Sequence, residues 1–257
     1  MSNTDQELKD AISELLDSWG FEVEQLKEGD EKTPDLLAVY QDERYIIEIK
    51  SKRDNEDLLL EEEELLAKGE TVKHFETSGY SVPIVRVVEK AVKQIREFPA
   101  RDSDIRLLWI HAEGMRRELQ MEQLHSTLYG TTNIVDLEGS PTRICYYFYN
   151  NALHKFRHEL DGVILAGRGG GKLCLNSFSP RCASLRQSFL ANSVFQGGIC
   201  DPEELELAGV ILTADGLEDR RDSNAVIRFL HEKYGRVSIQ KMDMGYFELG
   251  VRCSQEP

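Results

Sequence analysis

Several things are scarce in this chain of 257 residues. It has five cysteines and seven prolines. The cysteines (Cys145, Cys174, Cys182, Cys200, Cys253) are odd in number and far apart, and none forms a CxxC pair. That argues against a disulfide framework and against a zinc site, and for reduced, buried thiols. No run approaches the roughly 18 apolar residues a membrane-spanning helix needs. Positive charge is also in deficit: 31 Lys and Arg face 46 Asp and Glu, a net charge of −15. A broad, sequence-independent nucleic-acid face is therefore not expected, although a local basic groove remains compatible with this total. The opening MSNTDQELKD is polar and acidic, unlike a signal or transit peptide, so the expected location is cytoplasmic, with no membrane partner.

What is present is an ordinary globular balance, 40% hydrophobic and 30% charged, in a chain long enough for one large domain or two small ones. Residues 4 to 19 read as a helix, with Leu8, Ala11, Ile12, Leu15, Leu16 and Trp19 on one stripe and Gly20 as its stop. Phe21 to Leu26, Leu36 to Tyr40 and Tyr45 to Ser51 read as strands. Val82 to Phe98 is an amphipathic helix ended by Pro99, and Ile105 to His111 a buried strand. The order is α-β-β-β-α-β.

Beyond it, helices are expected at Arg116 to Tyr129, Pro180 to Val194, Pro202 to Ala208 and Ser223 to Tyr234. Strands are expected at Ile144 to Tyr149, Asp161 to Ala166, Lys172 to Asn176, Val237 to Gln240 and Tyr246 to Arg252. The expected division is a core over 1–112 and an α/β region over 113–257 that either continues the same sheet, binds a partner protein or forms a homodimer.

Two motifs lead nowhere. AGRGGGK, residues 166 to 172, has Ala166 where a phosphate loop needs glycine, and Leu173 where it needs Ser or Thr; a hairpin turn fits better. His154 and His158 have the i,i+4 spacing of a metal pair on a helix, but no HExxH glutamate accompanies them.

One segment does carry chemistry. In TPDLLAVYQDERYIIEIKSK, residues 33 to 52, charge alternates through the most hydrophobic strand. Side chains alternate across a strand, so Glu48 and Lys50 share one face and Ile47 and Ile49 the other. If 35–40 and 45–50 pair as a hairpin, Asp35 comes beside Glu48. Two carboxylates so close repel unless a cation lies between them, and a hard ion such as Mg²⁺ (or Mn²⁺) suits oxygen ligands. Lys50 adds a compact positive charge. A metal and a cation are what phosphodiester hydrolysis requires. These residues are expected to project into a solvated cleft.

Pro34-Asp35, twelve intervening residues, then Glu48-Ile49-Lys50 resembles the PD-(D/E)XK nuclease superfamily of restriction endonucleases and Holliday junction resolvases. The resemblance covers residues 4 to 111. It implies a restriction-endonuclease-like α/β core, a mixed sheet flanked by helices, and a Mg-dependent endonuclease acting on nucleic acid, DNA in the first reading. A role in prokaryotic defence or DNA repair comes by the same analogy. By it, Asp35, Glu48 and the Ile49 carbonyl are metal ligands, and Lys50 positions the attacking water or stabilises the transition state. Family members often add a first-helix glutamate, for which Glu7 is the choice over Glu14. Some carry Gln-x-x-x-Tyr on the second helix; here Gln94 is followed by Phe98. Gln94, Lys52, Arg53 and Lys90 are the expected substrate contacts. A nuclease-fold binding or regulatory module with weak or no catalysis, and an RNA-processing nuclease, remain the alternatives. Residues 54 to 64, DNEDLLLEEEE, hold seven acids and no base, and read as a solvated segment or an acidic flap beside the site.

Overall fold

The computed structural model describes residues 3–26, 33–77, 79–114, 116–242 and 247–252. Of these, the side chains of residues 3, 56, 73–77, 140 and 247–252 are not described. The fold is mixed α/β, with a seven-stranded and a four-stranded sheet flanked by helices. No helix among the described residues is long and apolar enough to cross a membrane.

The chain starts with helix α1 (Asn3–Ser18), which buries Ile12 and Leu16. Gly20, at φ +90°, turns it into strand β1 (Glu22–Gln25). A meander follows: β2 (Leu36–Tyr40) pairs antiparallel with β1 and with β3 (Glu43–Lys52). The acidic segment then forms helix α2 (Glu56–Ala67), capped by the Asn55 side chain. Strand β4 (Val72–Thr77) leads to helix α3 (Val82–Glu97) and strand β5 (Ile105–Ala112), which lies parallel to β3. The expected α-β-β-β-α-β order thus holds for the elements on the main sheet, with α2 and β4 inserted.

Helix α4 (Arg117–Tyr129) is followed by β6 (Thr132–Asp136), β7 (Ser140–Tyr146) and the short α5 (Ala152–Lys155). Strands β8 (Gly162–Gly167) and β9 (Gly170–Leu175) form a hairpin. Its two-residue turn needs Gly169 at φ +102°, so AGRGGGK is a turn, as expected. Because α5 ends at Lys155, His154 and His158 do not share a helix, and the metal-pair spacing does not apply. The Pro180 to Val194 segment divides into α6 (Cys182–Gln187) and one π-helical turn at Leu190–Val194. The rest is β10 (Ile199–Cys200), α7 (Pro202–Leu207), β11 (Ile211–Thr213), α8 (Ser223–Tyr234), β12 (Ile239–Met242) and β13 (Phe247–Arg252). Tyr246, expected to start the last strand, lies outside the described residues, as does Cys253.

The main sheet runs β1-β2-β3-β5-β8-β9-β10, so residues beyond 112 contribute three of its strands. The second sheet runs β11-β7-β6-β12, and β4 pairs with β13 in a third. One face of the main sheet packs Ile46, Leu108, Ile110 and Val163 against Val88, Val92 and Ile95 of α3 and Leu124 of α4. The other packs Ile47, Ile49, Leu107 and Trp109 against Ile12 and Leu16 of α1 and Leu185 of α6. β3 therefore reads as alternation between two cores, not between core and water. That is why its charged positions fall inside the protein.

Candidate active site

The β2–β3 register pairs Leu36 with Ile47, and the Asp35 N–H donates to the Ile47 carbonyl at 3.1 Å. One further step of the same register sets Asp35 opposite Glu48, on the α3 face of the sheet. The two carboxylates are brought together by strand pairing alone, as the hairpin reading requires. Asp35 also ties the strands: its Oδ2 accepts the Ile49 N–H at 2.7 Å.

The site is not the solvated cleft expected. Asp35 is 5% exposed and Glu48 fully buried. The reason is the flanking architecture: α3 covers the face that carries Glu48, and α1 packs across the edge where β2 begins. Two lysines accompany the acids. Lys50 Nζ pairs with Glu48 Oε1, and Lys9 Nζ of α1 pairs with Asp35 Oδ1. Gln94 of α3 joins them: its Oε1 accepts from Lys50 Nζ at 3.2 Å, and its Nε2 donates to the Thr33 carbonyl at 3.3 Å. Gln94 thus links the motif lysine to the segment that leads into Asp35.

Glu48 has a second oxygen, Oε2, that is buried and makes no hydrogen bond. Burial, and then the neighbouring Asp35 charge, push its carboxyl up to about 8, against the opposing pull of Lys50 and Lys9. An orphaned oxygen on a buried carboxylate, beside a second carboxylate, is an oxygen-rich site that suits a hard divalent cation. Asp35, Glu48 and the Ile49 carbonyl fit such an ion. Among the described residues, no group of three or more His, Cys, Asp or Glu converges on a metal position.

The remaining expected residues fall differently. Lys9, not Glu7, is the first-helix residue that pairs with Asp35. At about 100° per residue the two stand some 200° apart round α1. Glu7 and Glu14 are both exposed. The sequence reading followed the family's glutamate and passed over the lysine; the signal available was that Lys9 borders the stripe of Leu8, Ile12 and Leu16. Arg53 is held by acids: its Nε lies 3.2 Å from Glu113 Oε2 and its Nη2 3.8 Å from Asp5, while Nη1 donates to Thr4 Oγ1 at 3.0 Å. Lys52 is half-buried at the end of β3, and Lys90 is exposed on α3, one turn before Gln94.

The acidic segment forms helix α2, and two of its flanking or inward acids are paired. Glu62 is 8% exposed and pairs with Arg116 at 2.5 Å, and Asp54 accepts from Gln120 Nε2 at 2.6 Å. Glu61, Glu63 and Glu64 of α2 are exposed. No protein-family model matches the chain, and no curated protein matches it.

Proposed function

We propose that the protein is a Mg- or Mn-dependent endonuclease of the restriction-endonuclease-like kind, hydrolysing phosphodiester bonds in DNA. The observation that carries this reading is the convergence of Asp35, Glu48, Lys50 and Gln94 on one face of β3, with Glu48 Oε2 left without a partner. When bound, the divalent ion supplies charge to polarise a phosphate and to lower the pKa of a water. Asp35 and Glu48 supply its negative ligands, with the Ile49 carbonyl beside them.

The chain's own groups do the rest. Near neutral pH and without a cation, Glu48 holds a proton, because burial disfavours its charged form. Releasing that proton readies its oxygens for the ion. Lys50, freed from Glu48, presents its ammonium to the phosphate and stabilises charge developing there. Gln94 Oε1 steers Lys50 Nζ, and α3 limits water around it. Lys90 and Lys52 are the nearby cations offered to a nucleic-acid backbone. Prokaryotic defence and DNA repair are the settings that the family resemblance suggests.

A second reading is favoured by one observation. Lys9 and Lys50 already pair with Asp35 and Glu48, so each acid has a basic partner without a metal. A nuclease-fold module that binds nucleic acid or a regulatory partner without cutting would look like this. The discriminating experiment incubates purified protein with Mn²⁺ or Mg²⁺ and duplex, branched or single-stranded DNA, with single-stranded RNA as a parallel arm. Cleavage that EDTA stops, and that is lost in Asp35→Asn and Glu48→Gln, supports the nuclease. Binding without cleavage in any arm supports the module, and cleavage of RNA alone moves the substrate.

A further inference from the structure

A second cluster of reactive groups lies apart from the carboxylate site. β9 and β10 run parallel with Cys174 opposite Cys200, and both thiols are free. Cys200 Sγ lies 3.6 Å from His125 Nε2 of α4 and 3.5 Å from the hydroxyl of Tyr146 on β7. That hydroxyl is itself 2.9 Å from the same His125 nitrogen. Groups from α4, β7 and β9 thus converge on one sulfur of β10.

The cluster opens on a cleft of about 810 Å³, whose wall includes His125, Tyr146 and Cys200. Its charged lining groups are Glu118 and Glu122 of α4 and Lys172 of β9. Tyr129, also on α4, faces the cluster from behind and donates to the Cys200 carbonyl at 3.2 Å.

The cysteines of the chain are not alike. Burial pushes the Cys145 thiol up, and that of Cys182 up to about 11. Cys200 goes the other way: the hydrogen bond from Cys174, and then His125, hold it below the ordinary thiol range despite burial. Cys174 is raised correspondingly, as the donor of that bond. Its neighbours favour the ionised sulfur, which opens on a cleft yet is only 7% exposed, an access suited to small electrophiles.

We propose that Cys200 is a hydroperoxide-reactive thiol, hydrogen-bonded by His125 and Tyr146 and resolved by Cys174. The Cys200 sulfur attacks one peroxide oxygen; an S–O bond forms as the O–O bond breaks. The departing alkoxide or hydroxide takes the proton that Cys200 gave up, relayed through the His125–Tyr146 pair. Cys174 sulfur then attacks the sulfenic sulfur, the S–S bond forms, the S–O bond breaks, and water leaves with the Cys174 proton. Two thiols and one hydroperoxide become a disulfide, an alcohol or water, and a water. Paired strands lie about 4.7–4.9 Å apart, within the roughly 4.4–6.8 Å that disulfide-linked Cα atoms span.

The test treats the full chain with one equivalent of hydrogen peroxide, with dimedone present, and maps each cysteine by peptide mass spectrometry. The expected product is a Cys174–Cys200 disulfide, formed before Cys145 or Cys182 reacts. Cys174→Ser should instead carry dimedone on Cys200, and Cys200→Ser should leave Cys174 reduced. Iodoacetamide should label Cys200 in the wild type at pH 6, and His125→Gln should slow that labelling about tenfold or more, one unit of thiol pKa being a tenfold change in thiolate. Cys200 oxidising no faster than Cys145 and Cys182 in the wild-type chain would overturn the proposal, and that comparison needs no variant to fold. Sulfenic acid on Cys200 with no disulfide in the wild type would overturn the role of Cys174.

Discussion

Lys9 Nζ of the first helix pairs with Asp35 Oδ1, with the two side chains only 13% and 4% exposed. The lysine stands where a divalent ion would draw on the same oxygen. A cation entering the site must therefore displace or outcompete an ammonium that is already in place.

Replacing Lys9 should make this competition visible. Lys9→Met leaves a buried carboxylate without its partner, and breaking such a pair typically costs about 3–5 kcal/mol. The variant should melt at lower temperature in EDTA. Mn²⁺ should then stabilise it more than it stabilises the wild type, because an ion that binds only the native state adds RT ln(1 + [L]/Kd). Equal Mn²⁺ shifts in the two proteins would show that Lys9 does not compete.

Glu48 should make metal-free stability fall as pH rises. Its folded pKa, about 8, lies above the ordinary glutamate value of 4.5, so the native state binds the extra proton between these values. Stability from this group is fully present below the unfolded pKa and is lost as pH climbs through about 8. Glu48→Gln keeps a neutral side chain throughout. It should match the wild type near pH 5 and exceed it at pH 8 to 9 in EDTA denaturation curves. Mn²⁺ binding should run in the opposite sense, tightening up to about pH 8 in the wild type and nearly absent in Glu48→Gln. A pH-independent difference between the two proteins would place Glu48 in a more solvated setting.

Core truncation on the other face of β3 should be more damaging than charge removal. Ile47 and Ile49 are 1% and 5% exposed against α1, and Ile→Ala in such cores costs about 2–5 kcal/mol each. Asp35→Asn should cost less, because an amide oxygen can still accept the Ile49 N–H and the part-exposed Lys9 left behind can turn its ammonium to solvent, which a buried Asp35 carboxylate left by Lys9→Met cannot. Asp35→Ala loses that bond as well and should be the worse of the two. Urea denaturation of the four variants ranks them directly; an Asp35→Asn protein less stable than Ile47→Ala would mean that the ion pair, rather than the two-sided core, dominates this strand.

Helix α2 should act on nucleic-acid binding through its exposed acids alone. Glu62 anchors the helix to Arg116, so deleting the segment would remove structure with charge. The triple variant Glu61→Gln, Glu63→Gln, Glu64→Gln removes three exposed charges and should leave the melting temperature nearly unchanged. It should bind DNA more tightly, most clearly near 0.01 M salt, where the Debye length is about 30 Å. Unchanged affinity at low salt would remove α2 from any role in limiting access.

The chain order of the core elements was legible in sequence because each has a strong local signal. The stripes of α1 and α3, the stop at Gly20, and the Ser223–Tyr234 helix follow from periodicity and caps, which depend on neighbours a few residues away. That Asp35 comes near Glu48 was legible from the expected hairpin; the exact register is set by a two-residue turn at Gln41 and Asp42, and alternation sets the face. Strands β4, β6 and β10 and the three residues of β11 were missed. They are short and carry little alternation, and they exist because a paired partner is already there. The acidic run left helix and loop both open from composition; it is helix α2, with Arg116 and Gln120, more than fifty residues on, as partners of Glu62 and Asp54.

Burial was the larger surprise, and it could not be local. Whether Glu48 faces water depends on where α3 packs, and whether Asp35 meets a metal or an ammonium depends on which face of α1 turns towards β2. Those choices are made by apolar area shared among elements far apart in sequence. The amino-acid order by itself determined a β-hairpin with two carboxylates and a lysine on one face. Only the tertiary structure decided that they lie inside the protein, that Lys9 occupies the first-helix position, and that Cys200 and His125, 75 residues apart, meet over a cleft.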